Sequence, residues 1–317
     1  MSSLHLDILI PTFNRGNELA KNVRLLNEAI ATEGSVADFR IMVSNNSSQD
    51  NTAELLEQLQ KESDVELRTF QQPENIGGEG NVVFLLQQAT ADHIMFLGDD
   101  DFLPAGYLAF VLEELSQRPD TRAIVPGIAS LYADGTIIPD RNEYFDRRRY
   151  SRGLASVKAI SYLGHQISGI VFVRAGLADN YLREPSLRNL YPTIFFLGYS
   201  CLRGETVYVP SRKILISQDN VKYWSYDASG LLTDVFMNYQ LLYPDRPWVR
   251  LQLSLIMIFR QPTRLVGRDK NPVNAVRAFL HLLAAPGVDP LMRLSLPMVF
   301  PVLYVRQVLR YFLRKLK

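Results

Sequence analysis

The chain has 317 residues, 21% of them charged, and a formal net charge of +1. That length holds one large domain or one domain with an appendage, and the near-neutral balance excludes a general nucleic-acid-binding surface. A single cysteine, Cys201, excludes an internal disulfide, and its apolar-aromatic surroundings from Phe195 to Leu202 read as those of a buried structural thiol. The first residues, Met1–Asp7, carry no basic stretch before a strand, so no signal peptide is expected. No apolar run reaches the ~20 residues of a bilayer span, and Pro297 and Pro301 interrupt one of the longest candidates. The expected location is the cytoplasm.

The first hundred residues alternate strand and helix. Leu6–Ile10 reads as a buried strand ending in the turn Pro11-Thr-Phe-Asn14, and Leu19, Val23, Leu26 and Ile30 give the next segment a helical face. Phe39–Val43 is a second strand. Its polar turn leads to Asn51 as an N-cap with Glu54 three residues on, and Leu55, Leu56 and Leu59 form that helix's inner face. Val65–Phe70 is a third strand, followed by a helix from Asn81 to Ala89. His93–Leu97 is a fourth, ending in Gly98-Asp-Asp-Asp101, with Pro104 in the first turn of the helix that carries Leu108, Val111, Leu112 and Leu115. Such alternation implies an α/β fold, a mostly parallel sheet with helices on both faces.

Beyond residue 120 the pattern loosens. Ala123–Tyr132 and Thr136–Ile138 read as a hairpin turning at Asp134-Gly135, Ile167–Val173 and Thr206–Val209 as further strands, and Arg147–Arg149 as a polar segment with little periodicity. From Pro247 the chain is helical and apolar, so residues 1–240 are expected as the α/β domain and 241–317 as a helical extension.

Ligands of parallel sheets bind beyond the carboxyl ends of the strands, at the point where strand order reverses. Four polar clusters fall just after strands: Pro11–Arg15, Asn45–Asp50, Asn75–Asn81 and Asp99–Asp101. All four are therefore expected along one sheet edge. Three adjacent carboxylates raise one another's pKa, and a hard divalent cation such as Mn²⁺ or Mg²⁺ relieves that repulsion while bridging to a substrate's phosphates. A plainer reading makes the aspartates a solvated turn capping the next helix.

Those clusters, in their order and spacing, resemble glycosyltransferase family 2, enzymes of the GT-A fold. Ile10-Pro-Thr-Phe-Asn-Arg15 is similar to the family's opening strand and turn, Val43–Thr52 to its second turn, Asn75-Ile-Gly-Gly-Glu-Gly-Asn81 to its third loop, and Phe96-Leu-Gly-Asp-Asp-Asp101 to its DxD metal motif. The resemblance implies a Rossmann-like GT-A domain and a nucleotide diphosphate sugar donor. Pro11, Thr12, Asn14, Arg15, Asn45, Asn46, Asn75, Gly77, Asn81, Asp99 and Asp100 would lie near the donor, with Asp99, Asp100 and Asp101 as the metal ligands. Asn46 stands where many relatives carry a base-reading aspartate. Its amide could donate to the bare N3 of cytosine, which suggests a cytidine-type donor; alternatively it makes an Asx-turn. Inverting relatives use a carboxylate as general base on the acceptor, but the corresponding stretch, Asn189-Leu-Tyr-Pro-Thr-Ile194, has none. Glu184 and His165 are the candidates in its place. The chain looks most like bacterial enzymes of surface-polysaccharide assembly, such as the abequosyltransferase-like group, which implies a polyprenyl-diphosphate-linked glycan acceptor for O-antigen or capsule synthesis.

From Leu291 to Lys317 there is no acidic residue. Val305, Val308, Leu309, Phe312, Leu313 and Leu316 share one helical face, with Arg306, Arg310, Arg314, Lys315 and Lys317 beside it. That pattern fits a peripheral helix on the anionic inner face of the cytoplasmic membrane, or a helix packed on the core or on a second copy of the chain. Two other functional readings stand beside the transferase: a nucleotidyltransferase, for which Arg15 alone offers triphosphate grip, and a non-catalytic scaffold or carbohydrate-binding protein of the same fold.

Overall fold

The structure is a computed structural model that describes residues 4–34, 38–139, 147–218, 230–262, 272–285 and 287–315. Met1–Asn180 and Phe196–Val221 form one compact unit, and Tyr181–Phe195 with Lys222–Lys317 form a second. The boundary expected near residue 240 therefore falls at Val221, and the helical unit also takes a segment from the middle of the chain. Polar and apolar residues are mixed in that segment, which left no composition shift to mark it.

The first unit opens as β1 (Leu6–Thr12), α1 (Gly16–Glu33), β2 (Phe39–Asn45), α2 (Thr52–Glu62), β3 (Glu66–Gln71), α3 (Gly77–Gln88), β4 (His93–Phe96) and α4 (Tyr107–Gln117). It continues as β5 (Thr121–Leu131), β6 (Ile137–Pro139), β7 (Arg148–Tyr150), α5 (Leu154–Ile160), β8 (Val171–Val173), α6 (Leu177–Leu182), α7 (Pro192–Arg203) and β9 (Glu205–Ser217). The last residues of α6 and the first of α7 belong to the second unit. Leu19, Val23, Leu26 and Ile30 of α1 are buried, as their spacing requires. They pack with Leu6, Ile8 and Ile10 of β1, while Leu9 alternates to the opposite face of the sheet.

The strands form one sheet in the order β3-β2-β1-β4-β8-β5-β9-β7, with β6 paired to β5. β3, β2, β1 and β4 pair in parallel, and β5 pairs in parallel with β9. β8 is antiparallel to both β4 and β5, so those two run the same way with a reversed strand between them. The carboxyl ends of β1, β2, β3, β4, β5 and β9 therefore share one edge, and β8 brings its amino end there. The chain moves from β1 outward to β2 and β3 and then returns to β4 on the other side, which puts the reversal of strand order between β1 and β4.

Local details depart from the sequence reading. Asn51 occupies the N-cap of α2 without a side-chain capping bond; Asp50 instead accepts from the Thr52 N–H at 3.2 Å. Pro104 lies ahead of α4, which starts at Tyr107 behind a left-handed Gly106 (φ 73°). The cap there comes from Glu33, whose carboxylate accepts from the Gly106 N–H at 2.5 Å and the Leu108 N–H at 2.9 Å. The Arg147–Arg149 segment contributes strand β7, held because Arg149 pairs with buried Glu114 and, at 2.9 Å, with Glu205.

In the second unit α8 (Gly230–Leu242), α9 (Pro247–Arg260), α10 (Pro272–Ala284) and α11 (Pro290–Lys315) follow one another. Asn189 and Asn238 exchange amide bonds at 3.2 and 3.0 Å, which ties the Tyr181–Phe195 segment to α8. Arg250 grips Asp289 through Nη2 at 2.8 Å and Nε at 2.9 Å, and Phe279 of α10 meets Phe300 of α11 with ring centroids 4.7 Å apart.

Asp7 at the start of β1 is 1% exposed. It accepts from the backbone N–H groups of Thr90 and Ala91 at 2.8 and 3.0 Å and from Arg40 at 2.7 Å. Asp7→Ala strands all three donors and is expected to lower unfolding free energy by about 3–5 kcal/mol, read as a shifted urea midpoint, with Asp7→Asn losing less.

Candidate functional site

β1 and β4 lie side by side and end at the same edge, so the residue after β1's apolar run and those after β4 must meet. Thr12, buried in the last position of β1, donates its hydroxyl to Asp99 at 2.8 Å. Arg15, at the N-cap of α1, reaches Asp99 at 2.9 Å and Asp100 at 2.8 Å through the same terminal nitrogen. Burial pushes the Asp99 carboxyl up to about 6 against the pull of the Arg15 guanidinium, and the neighbouring Asp100 charge adds to the rise.

The third aspartate has different partners. Asp101 accepts from the Ser168 hydroxyl and, at 3.2 Å, from the Ser217 N–H. Both partners follow from the topology: β9 delivers Ser217 at its carboxyl end, and the reversed β8 is preceded at the same edge by Ser168. The Ser168 hydroxyl also accepts from the Gly98 N–H at 2.9 Å. Burial, with the Asp100 charge adding, raises the Asp101 pKa, while the bonds from Ser168 and Ser217 draw it back. Among the described residues no group of three His, Cys, Asp or Glu residues comes together as a metal site. Of the expected trio, Asp99 and Asp100 share Arg15, whereas the Asp101 carboxylate holds strand ends together.

The two loops beside β1 are knitted by amides. Asn14, at a positive φ of 53°, accepts the Gln49 N–H at 2.7 Å, and its own N–H donates to Ser48 at 2.8 Å. Asn45 accepts from the Ser48 N–H at 3.0 Å and donates to Gln71 at 2.8 Å. Asp50 accepts from the Gly16 N–H at 3.0 Å. Burial raises its pKa, but bonds from the Thr52 hydroxyl and the Gly16 and Thr52 N–H groups outweigh that and leave it lowered.

Asn46 is buried and fully engaged. Its oxygen accepts the Ile76 N–H at 2.9 Å, which fixes the amide orientation, and its nitrogen donates to Asn75 at 3.0 Å and to the Gly77 carbonyl at 3.3 Å. Both amide hydrogens are taken, so a cytosine N3 would have to displace one of them. Asn46 acts as a clamp between the second and third loops. Gly77 holds a φ of +79° at the start of α3, and Asn81 is buried with its nitrogen on the Ser44 carbonyl at 2.9 Å. Pro11 sits within β1, one residue before Thr12.

The two candidate bases separate. His165 lies in the first unit and lines a recess with Gln166, Ser168, Ile170, Pro126 and Ile128. Its Nδ1 is 2.8 Å from the Tyr162 carbonyl. A carbonyl can only accept, so Nδ1 carries a hydrogen there, and a neutral ring of that tautomer has its lone pair on Nε2. Glu184 lies in the second unit, exposed, and accepts from Ser186 at 2.8 Å. Cys201 is buried beside Thr206, and burial pushes its thiol up to about 12, as a structural cysteine requires.

Three contributors were missed in the sequence. Asn22 on the inner face of α1 donates to the carbonyls of Gly98 at 2.8 Å and Asp101 at 2.6 Å, securing the acidic turn from below. Its position between Leu19 and Val23 on the apolar face was the available signal. Ser168 and Ser217 carried none, since their roles depend on strand direction.

A stretch of 112 residues is 30% identical to a GalNAc(5)-diNAcBac-PP-undecaprenol beta-1,3-glucosyltransferase of Campylobacter jejuni, covering 35% of each chain. The match thus spans about a third of that relative's length. In fold, the chain is similar to S. aureus TarS 1-349, with a TM-score of 0.65 at 13% identity, covering 95% of this chain and 89% of that one. The same TarS fragment in complex with UDP-GlcNAc gives a TM-score of 0.64 at the same identity and coverage. Residues 7–176, more than half of the sequence and all four loops of the site, match the model described as glycosyl transferase family 2. The chain belongs to glycosyltransferase family 2.

Proposed function

We propose that the protein moves a sugar from a nucleotide diphosphate sugar to a polyprenyl-diphosphate-linked glycan in bacterial surface-polysaccharide synthesis, with inversion at the anomeric carbon. The observation that carries this reading is the convergence of Thr12, Arg15, Asp99 and Asp100 at the reversal of strand order. A nucleotidyltransferase finds less support, because Arg15 is a single cation where a triphosphate calls for several. The C. jejuni relative, named for its action on a PP-undecaprenol-linked glycan, supports the acceptor class.

Oxygens of Asp99 and Asp100 converge on one nitrogen of Arg15, so the pair already accommodates a positive centre, and two carboxylates suit a divalent ion that shares phosphate oxygens. Asp99 and Asp100 would hold Mn²⁺ or Mg²⁺, which when bound supplies charge neutralisation for the departing diphosphate. Thr12 orients Asp99, while Asn46 and Asn14 keep the loops around the donor in register. An acceptor hydroxyl attacks the anomeric carbon as the bond to the diphosphate breaks, and the electron pair leaves with the nucleotide. His165, through Nε2, takes the hydroxyl proton; the recess it shares with Ser168 supports this choice over Glu184.

The acceptor implies work at a lipid surface. Among the described residues no helix is long and apolar enough to cross a membrane. On α11, Met292, Leu296 and Leu303 are buried, whereas Leu294, Met298, Val302, Val305 and Leu309 form an exposed stripe, the first two each 74% exposed. Val308, expected on the apolar outer face, is half-buried, and the side chains of Arg310, Phe312, Leu313, Arg314, Lys315, Leu316 and Lys317 lie outside the described residues. Val273, Val276 and Leu280 of α10 are exposed as well. With no acid from Leu291 onward, the stripe suits the anionic inner face of the cytoplasmic membrane.

Calorimetric titration with UDP, CDP, GDP and dTDP, with Mn²⁺ or with chelator, tests the donor site. One nucleotide should bind only with metal, and Asp100→Ala should weaken it by about tenfold or more; a folded protein that binds none of them overturns the transferase reading. His165→Ala should lower kcat by about 10²–10⁴ with little change in KM, and unchanged kcat returns the base to Glu184. Flotation with phosphatidylglycerol vesicles should recover the protein and lose Leu294→Glu/Met298→Glu/Val302→Glu. A concentration-dependent dimer in sedimentation, without flotation, would instead give the stripe to a second copy.

A further inference from the structure

The contact between Arg15 and the acidic pair has an unusual form. A structural arginine–carboxylate pair commonly uses the guanidinium fork, two nitrogens on two oxygens of one carboxylate. Here one nitrogen serves two carboxylates, at 2.9 Å to Asp99 Oδ1 and 2.8 Å to Asp100 Oδ2. That nitrogen sits at the place where two acidic oxygens meet. The side chain is 13% exposed, so solvent does little to screen the interaction.

The backbone beneath it is held firmly. Asn14 is fixed at positive φ by Ser48 and Gln49, the Gly16 N–H donates to Asp50, and the Arg15 carbonyl accepts the first helical bond, from the Leu19 N–H at 2.9 Å. Any exchange of partners by Arg15 would therefore be made by its side chain, from a fixed backbone anchor.

Charge balance gives that exchange a direction. With the site empty, two carboxylates and one guanidinium leave one net negative charge. A divalent cation together with a nucleotide diphosphate sugar, which carries one negative charge on each phosphate, adds nothing to that total. The same site can therefore hold either state without a net change in buried charge, provided the guanidinium exchanges its carboxylate partners for diphosphate oxygens. An Arg15 that stayed on both carboxylates would keep the cation from the oxygens it needs; one that left to solvent would give up a phosphate partner.

We infer that Arg15 is an exchangeable resident cation: it occupies the Asp99–Asp100 pair in the empty protein, yields those oxygens to the divalent metal when the donor enters, and then grips the donor's diphosphate. The inference rests on the donor-site reading above and adds an ordered exchange within it. It makes metal affinity low without nucleotide and high with it, so that the two bind cooperatively.

The test is Mn²⁺ titration followed by electron paramagnetic resonance, on the full chain with and without UDP. Without nucleotide, Arg15→Gln should bind Mn²⁺ about tenfold more tightly than the wild type, because a competing charge is gone. With saturating Mn²⁺, the same variant should bind UDP about tenfold more weakly, because a charged phosphate contact is lost. Arg15→Lys, which offers a single nitrogen and a full charge, should keep both affinities near wild type and controls for folding alongside a thermal melt. Unchanged or weaker Mn²⁺ binding in folded Arg15→Gln overturns the inference. Tighter Mn²⁺ with unchanged UDP affinity overturns the diphosphate grip. Failure of UDP to bind wild type and variant alike overturns the donor reading, and the exchange with it, whereas a changed metal affinity is read independently of nucleotide.

Discussion

Three carboxylates in succession at a buried strand end cannot all remain ionised without partners, and the arrangement of the first unit follows from how each is supplied. Asp99 receives Thr12 and Arg15, Asp100 shares Arg15, and Asp101 is turned away to Ser168 and Ser217. Asn22 holds the turn's carbonyls so that the three side chains must diverge. One sequence triplet thereby yields two different chemical environments: a pair that shares the Arg15 guanidinium, and a carboxylate that joins three strand ends.

The reversed strand β8 is what permits that division. Were it parallel to its neighbours, Ser168 would arrive at the opposite edge of the sheet and Asp101 would lack its hydroxyl partner. The hydroxyl also receives the Gly98 N–H, so the start of the acidic turn and its last carboxylate are fastened by one side chain.

Much of this was legible in the residues. The alternation of apolar runs and helical faces over the first hundred positions set out β1 to β4 with their helices, and polar clusters after each strand indicated a shared edge. Helix starts were less legible. Glu33 caps α4 from a distance of more than seventy residues, and Asp50 takes the capping role assigned to Asn51, so neither has a local sequence signature. Asn46 looked like a reader of bases because its position in the loop invites that role; its bonds to Asn75, Ile76 and Gly77 are tertiary and had no trace in spacing. β7 was invisible for a similar reason: Arg148–Tyr150 make a strand where Glu114 and Glu205 receive Arg149.

The chain's path has a consequence for how such enzymes can change over time. It leaves the α/β unit at Tyr181, contributes a segment to the helical unit, re-enters at Phe196 to build β9, and leaves again beyond Val221. The Asn189–Asn238 amide pair closes the helical unit across this detour. The two units are thus interlaced along the gene rather than laid end to end, and no single crossover between relatives can exchange one whole unit for another. Inheritance of the helical unit is bound to that of β9 and Ser217, so the helices and the strand that seats Asp101 travel together.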